Sequence, residues 1–521
     1  MRDKYRTTST RVLLFVVALL ATTLACARAD VPAQVAIGSG SLPSPTMTLT
    51  TPVPETFSTP VNSTPGPSST PAEPEPVVSP TFPPTPTIQS LEEIETALYE
   101  AQPGDVLRAV AVHFGVVPED VTSTEPLPEA RGLIDPGQLL FIPQRLEETG
   151  PDEKLVPDSE AIFSPHATDF DVFGFAETYD GYITIYRESI GSRFRFGPEV
   201  VAIVARDNSV NPRLLYVLLE MQSGWVTDPT APTGNAFKYP MGHMVEQSPG
   251  LYRQLGWAAN ELGNGYYGWR AGTLTELVFV DGTKLRLAPD LNAGTVAIQY
   301  FLSLNNTRFE WENALQEFKN TYQDFFGDAW SYQHPLYERG LVQPELILPF
   351  WRGQVWAFTG GPHGAWERES AWAALDFAPA STETGCAVSE AMVVAAAPGL
   401  VVRSEDGVVV LDLDGDGREQ SGWALLYLHI AQEGRIKAGE YVEPGDSIGH
   451  PSCEGGSATG THIHIARKYN GEWILADGPM PFELSGWVAV AGTKPYQGAL
   501  VKGDQTVLAC PCASYQTLIQ R

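Results

Sequence analysis

Apolar residues recur at helical spacing through the middle of the chain. Four stretches carry the clearest pattern: residues 198–206, 212–221, 293–304 and 311–325. Apolar side chains three and four positions apart line one face of a helix, and a globular domain buries that face. The pattern therefore predicts a mainly helical domain over residues 160–345.

Beyond residue 348 the pattern changes to short apolar runs between Gly-containing turns. The clearest runs are residues 392–397, 408–413, 423–429 and 462–466. Short runs rich in Val, Ile, Leu and Tyr, bounded by turn residues, are typical of antiparallel strands. An antiparallel β domain is predicted over residues 348–512, and the fold class is multidomain α+β.

Residues 93–146 predict a third, smaller unit. Asp105 is placed to cap a helical pattern that stops at Gly115, and a Pro-Gly turn later leads into an apolar strand ending at Pro143. These motifs resemble a LysM module, a βααβ domain. The resemblance implies binding to glycans that contain N-acetylglucosamine, such as peptidoglycan. The alternative is a small βα domain that only spaces its neighbours.

The N-terminal region predicts export rather than a folded domain. Residues 1–26 combine basic residues with a short apolar run, as a secretory signal does. Ala25-Cys26 resembles the end of a bacterial lipobox, which implies a lipid anchor at Cys26; plain secretion is the alternative. Residues 27–92 are rich in Pro, Ser and Thr and predict a disordered linker. The expected location is extracellular, either on the cell surface or free.

The charge of the chain excludes one class of partner. Lys and Arg number 33 against 62 Asp and Glu, which gives a net charge of −29. A nucleic acid would be repelled by such a field, so we expect no nucleic-acid binding.

Four cysteines remain after Cys26, and an exported protein permits disulfides. They are Cys386, Cys453, Cys510 and Cys512, and three pairings are possible. A Cys510–Cys512 bridge would close a very small ring and is expected to fit poorly. We expect either links from Cys386 and Cys453 to the C-terminal pair, or a Cys386–Cys453 bridge with two free thiols.

Histidines in the β domain suggest a metal site. His462 and His464 lie two positions apart in a predicted strand and therefore share a face. His429 ends another strand, His363 follows a Gly-Pro turn, and Asp376 is flanked by apolar residues. A catalytic zinc takes three protein ligands and leaves a position open. This set offers three ligands and two further imidazoles.

The constellation over residues 361–487 resembles the lysostaphin and staphylolysin (beta-lytic) zinc endopeptidases of bacterial cell walls. The resemblance implies that His363, Asp376 and His464 bind zinc, while His462 and His429 act as catalytic histidines. The twelve residues between His363 and Asp376 favour the staphylolysin branch. The implied function is cleavage of peptide bonds in peptidoglycan. The alternatives are an inactive wall-binding regulator of another hydrolase, and a bifunctional hydrolase with an active middle domain.

The middle domain looks like a lysozyme-like transglycosylase over residues 211–224. In that family an acid precedes the Ser, whereas Gln222 stands here. An amide cannot donate the proton that glycoside cleavage needs, so we predict a non-catalytic domain. It is expected to bind glycan through five aromatic residues: Trp225, Trp257, Tyr266, Tyr267 and Trp269. The alternative is an unrelated helical spacer whose aromatic residues form its core.

Three alternating acids, Asp412, Asp414 and Asp416, are followed by Gly417. Oxygen ligands at this spacing suit Ca²⁺, although Trp423 at the twelfth position excludes an EF-hand. We expect a calcium-stabilised turn, with a solvated acidic turn as the alternative.

Overall fold

A computed structural model describes residues 95–366, 369–381, 384–512 and 514–521. The predicted signal segment, the anchor at Cys26 and the linker up to residue 92 lie outside the described residues. Within the described part of the chain, no helix is both long enough and apolar enough to cross a membrane.

The small N-terminal unit is a three-stranded antiparallel sheet with one helix. Strands β1 (Thr96–Glu100), β2 (Thr122–Ser123) and β3 (Leu139–Pro143) lie in the order β1-β3-β2, and helix α1 spans Leu107–His113. The second helix of the predicted βααβ unit is only a 3₁₀ turn, Pro118–Asp120. The chain leaves this turn directly into β2, and the LysM-like fold stays a prediction.

The middle domain is mainly helical, as predicted. Its helices are α2 (Asp158–Ala161), α3 (Val172–Tyr179), α4 (Gly197–Asn208), α5 (Pro212–Ser223), α6 (Asn235–Lys238), α7 (Leu251–Arg270), α8 (Ala293–Ser303) and α9 (Arg308–Phe326). Two hairpins accompany them, formed by strands β4 (Arg187–Ile190) with β5 (Arg193–Phe196) and β6 (Glu276–Val278) with β7 (Lys284–Arg286).

Local signals explain where the helices begin and end. The Asn211 side chain accepts a hydrogen bond from Arg213 N (2.9 Å), and Pro212 opens the first turn of α5. Gly224, at φ +66°, ends that helix. The longest helix, α7, was not predicted, because its glycines interrupt the apolar pattern. One of them lets α8 approach, since a Cβ on Gly265 would lie 2.8 Å from Ala297 Cα.

The C-terminal domain is built on a large antiparallel sheet. Its strands are β8 (Val355–His363), β9 (Ala374–Pro379), β11 (Gly399–Glu405), β12 (Val408–Asp412), β13 (Trp423–Leu428), β14 (Tyr441–Val442), β16 (Ile463–Tyr469), β17 (Glu472–Trp473) and β22 (Leu518–Gln520). Their order is β14-β11-β12-β13-β16-β9-β8-β22, with β17 beside β16. Smaller sheets are formed by β10 (Val393–Val394) with β15 (Ser447–Gly449), and by β18 (Glu483–Leu484), β19 (Trp487–Ala491), β20 (Gly498–Lys502) and β21 (Gln505–Leu508).

Both faces of the large sheet are buried against different partners. Because side chains alternate along a strand, Leu375 and Ile465 face the core shared with the small sheets. Ala374, Leu426 and Ala466 point the other way, into one continuous core with the helical domain. The helical domain is therefore packed directly on the sheet.

Buried ion pairs cross the same interface. Arg270 of α7 contacts Asp158 at 3.0 Å and Glu472 of β17 at 3.2 Å. Arg403 of β11 pairs with Asp207 of α4. Buried charges need partners, and these arginines find theirs on both sides of the interface.

The small unit is docked on the helical domain through an aromatic contact. The rings of His113 and Trp269 stack with centroids 3.5 Å apart and planes within 8°. Arg286 donates to the carbonyl oxygens of Val112 (2.7 Å) and His113 (2.8 Å), which end α1. The three units thus form one packed body over the described residues.

Two disulfides are present, and one corrects a prediction. Cys386 pairs with Cys453 and Cys510 pairs with Cys512. The expectation that Cys510 and Cys512 would pair with other cysteines or stay free was wrong, since they are bonded to each other with Cα atoms 5.0 Å apart. The Cys386–Cys453 pairing was one of the expected alternatives, but the two free thiols expected with it are absent from the described residues.

Candidate metal centre

Three neighbouring strands bring the predicted ligands together. His363 ends β8, Asp376 lies in β9 and His464 lies in β16, and β9 pairs with both of its neighbours. Asp376 is in direct register with His464 on one side and with Gly360 on the other. A Cβ on Gly360 would lie 2.4 Å from Asp376 Oδ2, so only glycine fits there. Regular pairing places Asp376 beside His464, and an irregularity in β8 after Gly360 brings His363 opposite Ala374, next to them.

The three side chains converge on one point. His363 Nε2 and His464 Nδ1 lie 3.0 Å apart, and Asp376 Oδ1 lies 3.3 Å from each of them. All three residues are buried. Among the described residues, Asp376 Oδ1 has no hydrogen-bond partner. A buried acceptor without a donor is costly, and a cation at this point would satisfy it.

Hydrogen bonds on the far side of each ring fix which nitrogen faces the centre. His363 Nδ1 donates to Gly361 O at 2.8 Å, and His464 Nε2 donates to Ala365 O at 2.9 Å. When each ring is neutral, its lone pair is on the nitrogen that faces the centre, His363 Nε2 or His464 Nδ1, beside a carboxylate oxygen. Two imidazole nitrogens and one carboxylate are a ligand set of catalytic zinc sites. The residues present fit the zinc that the prediction requires.

The helical domain supports one of these outer contacts. Ala365, which accepts from His464, lies in the loop between β8 and β9 and donates its own N–H to Ala371 O at 2.9 Å. Ser370 N in the same loop donates to the Asn260 side chain of α7 at 3.1 Å. The loop that orients a ligand is thus fixed to the neighbouring domain.

His429 and His462 lie beside the three ligands. The two rings have centroids 4.4 Å apart, and His462 Nε2 lies 3.9 Å from Asp376 Oδ1. His429 Nδ1 donates to Glu454 O at 3.0 Å, and His462 Nδ1 donates to Gly460 O at 2.7 Å. In both rings Nε2 is therefore the nitrogen available to exchange a proton. The structure brings together all five predicted site residues.

Burial and charge set the protonation of this cluster. Burial alone would raise the pKa of Asp376, but its interaction with His363 holds that pKa well below the ordinary value. Burial would lower the pKa of His363, yet the Asp376 carboxylate outweighs it and raises that pKa. Burial, assisted by the charges of His462 and His464, lowers the pKa of His429 to about 4. At neutral pH the centre therefore holds a carboxylate and a neutral His429.

Tyr496 is a neighbour of the site that no motif indicated. Its ring stacks on His363 with centroids 4.1 Å apart, and its φ is +67°. Tyr496 N donates to Pro362 O at 3.2 Å, and Gly361 N donates to Tyr496 O at 3.0 Å. Tyr496 lies in the loop between β19 and β20, more than 100 residues from His363, so local spacing could not indicate the contact.

The three alternating acids form a separate cluster at the turn after β12. Carboxylate oxygens of Asp412, Asp414 and Asp416 lie within 4.8 Å of one another. Asp412 is buried and accepts from Gly417 N at 2.8 Å, so part of its charge is already met by the backbone. Burial and the hydrogen bond with Asp412 raise the pKa of Asp414 to about 6.

The aromatic residues proposed for glycan binding are mostly in the core. Trp225, Tyr266, Tyr267 and Trp269 are buried among the helices, so the expectation that they bind glycan was wrong. Their apolar faces complete the domain core, as the spacer alternative required. Only Trp257 is partly exposed, with its ring stacked on another side chain.

Glu220 cannot replace the missing acid of the middle domain. Its carboxylate accepts hydrogen bonds from Val226 N (3.0 Å), Thr227 N (3.1 Å) and the Thr227 hydroxyl (2.5 Å). Those bonds hold the turn after α5 and occupy both oxygens. Under the predicted transglycosylase resemblance, Gln222 stands at the position of the acid.

Comparison with known proteins finds similarity in the helical domain and over about half of the chain. Residues 154–338 match the family described as "LasA, N-terminal domain". Protease LasA of Pseudomonas aeruginosa strain UCBPP-PA14 is 27% identical over 291 residues, which cover 52% of this chain and 65% of the relative. The protein of the same name from strain PAO1 matches with the same identity and coverage. The chain is thus similar to Protease LasA over about half of its length. The predicted resemblance is confirmed, and the chain spans about two thirds of the length of the curated relatives.

Three solved structures are similar to part of the chain. The M23 metalloprotease pseudoalterin is 22% identical with a TM-score of 0.28, and the match covers 32% of this chain and 96% of that one. A zinc-containing peptidase from Vibrio cholerae is 20% identical with a TM-score of 0.19, covering 27% and 41%. LytU is 23% identical with a TM-score of 0.16, covering 26% and 89%.

Proposed function

We propose that this chain is a zinc endopeptidase that hydrolyses peptide bonds in bacterial cell-wall peptidoglycan. One observation carries the proposal: His363, Asp376 and His464 converge on one buried point, with His429 and His462 on the same side. Three ligands with further proton-exchanging groups beside them are what metal-assisted hydrolysis needs. The family relationship supports the substrate class.

His462 is proposed as the general base and His429 as the group that stabilises the developing oxyanion. Zinc bound by the three ligands would act as a Lewis acid on the scissile carbonyl and on a water molecule. His462 Nε2, 3.9 Å from Asp376, is placed to accept the proton of that water. In the neutral ring the proton of His429 is on Nδ1, bonded to Glu454 O, so Nε2 first has to take up a proton. As an imidazolium, His429 could then donate from Nε2 to the developing oxyanion or to the leaving amine.

Clearing of purified cell walls tests the activity. The zinc-loaded protein is expected to lower the turbidity of a wall suspension, a chelator to stop it, and added zinc to restore it. Asp376→Asn provides the matched control, since it keeps the size of the side chain and removes its charge. Clearing by the chelated protein or by Asp376→Asn would contradict the proposal.

The small unit and the N-terminal region are proposed to locate the enzyme. The LysM-like unit would hold the chain on peptidoglycan glycan, and the N-terminal segment would export it, with Cys26 as a lipid anchor or with plain secretion. Sedimentation of the chelated chain with insoluble peptidoglycan tests the first part. Loss of membrane association on Cys26→Ser, with export retained, tests the second.

The middle domain is proposed to be non-catalytic. Gln222 has no acidic proton, and the carboxylate of Glu220 is occupied by the turn that it holds. Wall digests are therefore expected to contain neither new reducing ends nor anhydro-sugars. Either product would favour the bifunctional alternative.

Asp412, Asp414 and Asp416 are proposed as a weak Ca²⁺ site that stiffens the turn after β12. Burial and the hydrogen bond with Asp412 raise the pKa of Asp414, and the charges of Asp412 and Asp416 add to the shift. A bound cation would favour the charged carboxylates. Sensitised Tb³⁺ luminescence that Ca²⁺ displaces is expected for the native chain and not for Asp414→Asn/Asp416→Asn. Equal luminescence from both would contradict the site.

A further inference from the structure

The two histidines that do not bind the metal are placed differently from the three ligands. His429 follows the last residue of β13, and His462 precedes the first residue of β16. Their positions therefore depend on loops, while the ligands belong to or end strands that are paired on both sides. The contacts that fix these loops therefore position His429 and His462 without affecting the metal ligands.

Residues 452–454 hold His429 at its backbone and at its ring. Ser452 N and Ser452 Oγ donate to His429 O at 2.7 and 3.0 Å. His429 Nδ1 donates to Glu454 O at 3.0 Å. His429 has φ +68°, a conformation unfavourable for a non-glycine residue, so these bonds must over-determine it.

Residues 385–387 hold the segment that carries His462. Thr461 N donates to Gly385 O at 3.0 Å, and the Thr461 hydroxyl donates to Ala387 O. His462 Nδ1 donates to Gly460 O at 2.7 Å, which orients the ring. Thr461, the residue before His462, is thus fixed to residues 385–387.

A single covalent bond joins the centres of these two holding segments. Cys453 lies between Ser452 and Glu454, and Cys386 lies between Gly385 and Ala387, and their sulfurs form a disulfide. The segment that holds His429 is therefore tied to the segment that holds Thr461. We propose that the Cys386–Cys453 disulfide is a positioning element that keeps His429 and His462 in register with the metal centre. The inference rests on the proposed function and deepens it.

Loss of the Cys386–Cys453 disulfide is expected to lower turnover without weakening metal binding. Loss of the bond would free both loops while leaving the pairing of β8, β9 and β16 intact, so zinc affinity should stay within about twofold. Misplacing a proton-exchanging group by about 1 Å costs on the order of a hundredfold in rate. We therefore expect kcat on a wall-derived peptide to fall by about tenfold to a hundredfold, with KM little changed.

The test compares two variants of the full chain that each remove one disulfide. Cys386→Ser/Cys453→Ser removes the proposed element, and Cys510→Ser/Cys512→Ser is the matched control. Zinc content, kcat and KM are measured for both, together with the histidine ring signals in ¹H–¹³C NMR spectra. The first variant should show low kcat, full zinc and shifted or broadened signals of His429 and His462. The control should match the native chain.

If Cys386→Ser/Cys453→Ser fails to fold, chemical reduction of the disulfide and the single substitution Thr461→Val test the same proposal. Treating the folded native chain with a phosphine converts the disulfide to two thiols, as one water supplies the oxygen of the phosphine oxide. This reduction should lower kcat both in the native chain and in Cys510→Ser/Cys512→Ser, while both proteins keep their zinc. Thr461→Val keeps the disulfide and removes one holding bond, and should lower kcat by about fivefold.

The outcomes distinguish this inference from the proposed function. A native chain without zinc-dependent cleavage would refute the proposed function itself. With an active native chain, equal kcat in both disulfide variants and in the reduced protein would overturn the inference. Loss of zinc in parallel with loss of kcat would also overturn it, because the bond would then support the whole fold rather than the two histidines.

Discussion

Glu419 is the buried acid at the centre of an ion network that joins the helical and β domains. Its carboxylate contacts Arg403 at 3.1 Å and Lys468 at 2.9 Å, and Arg403 also pairs with Asp207 of α4. All four residues are buried. Replacing Glu419 by Gln keeps the size of the side chain, but Arg403 and Lys468 are then left with Asp207 as their one acidic neighbour among these four residues.

The magnitude follows from the protonation of Glu419. Burial alone would raise its pKa, but Arg403 and Lys468 lower the pKa from the ordinary 4.5 to about 2. A difference of about 2.5 corresponds to about 3 kcal/mol of stability that depends on the charged acid. Because the folded pKa is depressed, this stability is present above pH 4.5 and is lost as pH falls from 4.5 towards 2. Glu419→Gln should therefore cost about 3 kcal/mol at pH 7.

Urea unfolding followed by tryptophan fluorescence measures this cost. Glu405→Gln is the matched control, because Glu405 pairs with Arg206 at 2.7 Å but is 45% exposed. Exposed pairs contribute at most about 1 kcal/mol, so the control should lie within that range. The difference between Glu419→Gln and the native chain should shrink as pH falls from 4.5 to 2. Equal costs for the two variants, or a difference independent of pH, would refute the network's role.

Two further predictions concern the metal centre and the docking of the small unit. His464→Ala should lose both zinc and activity, whereas His462→Ala should keep zinc and lose turnover by about a hundredfold or more. Metal analysis and a peptide-cleavage assay measure these two properties. Equal zinc content and full turnover in both variants would contradict the prediction. Burial lowers the pKa of His113 to about 3, so the folded state excludes a proton that the free side chain takes up near pH 6.5, and docking should weaken as pH falls from 6.5 towards 3. Hydrogen exchange of α1, corrected for intrinsic rates, should therefore become faster over that pH range in the native chain. His113→Phe keeps a ring stacked on Trp269 and should show no such change. The same pH dependence in both proteins would contradict the prediction.

The candidate metal centre could be predicted from the sequence because strand geometry is simple. Residues two apart share a face, so His462 and His464 had to lie together if the segment was a strand. An acid flanked by apolar residues, Asp376, had to find a partner once buried. The motif then identified which imidazoles meet it, and the observed register placed all five groups within reach.

The features that were missed depend on contacts between distant segments. The glycines of α7 weaken its helical pattern, yet Gly265 is required by the close approach of α8. Trp225 is covered by Tyr182 and Tyr186 of its own domain, and Trp269 by His113 of the small unit. The pattern of apolar residues along one helix does not show such contacts. The stack of Tyr496 on His363 forms only when distant segments of the β domain pack together. The ion network around Glu419 forms only when the helical domain supplies Asp207.

The bond that is cut provides the most direct test of the central claim. Purified peptidoglycan is digested with the zinc-loaded chain, and the soluble products are identified by mass spectrometry with amino-group labelling. We expect fragments with new amino termini and one added water per cleaved peptide bond. These fragments should be absent when zinc is chelated and when His462→Ala replaces the native chain. Soluble fragments whose peptides are all intact, or peptide cleavage that persists without zinc, would contradict it.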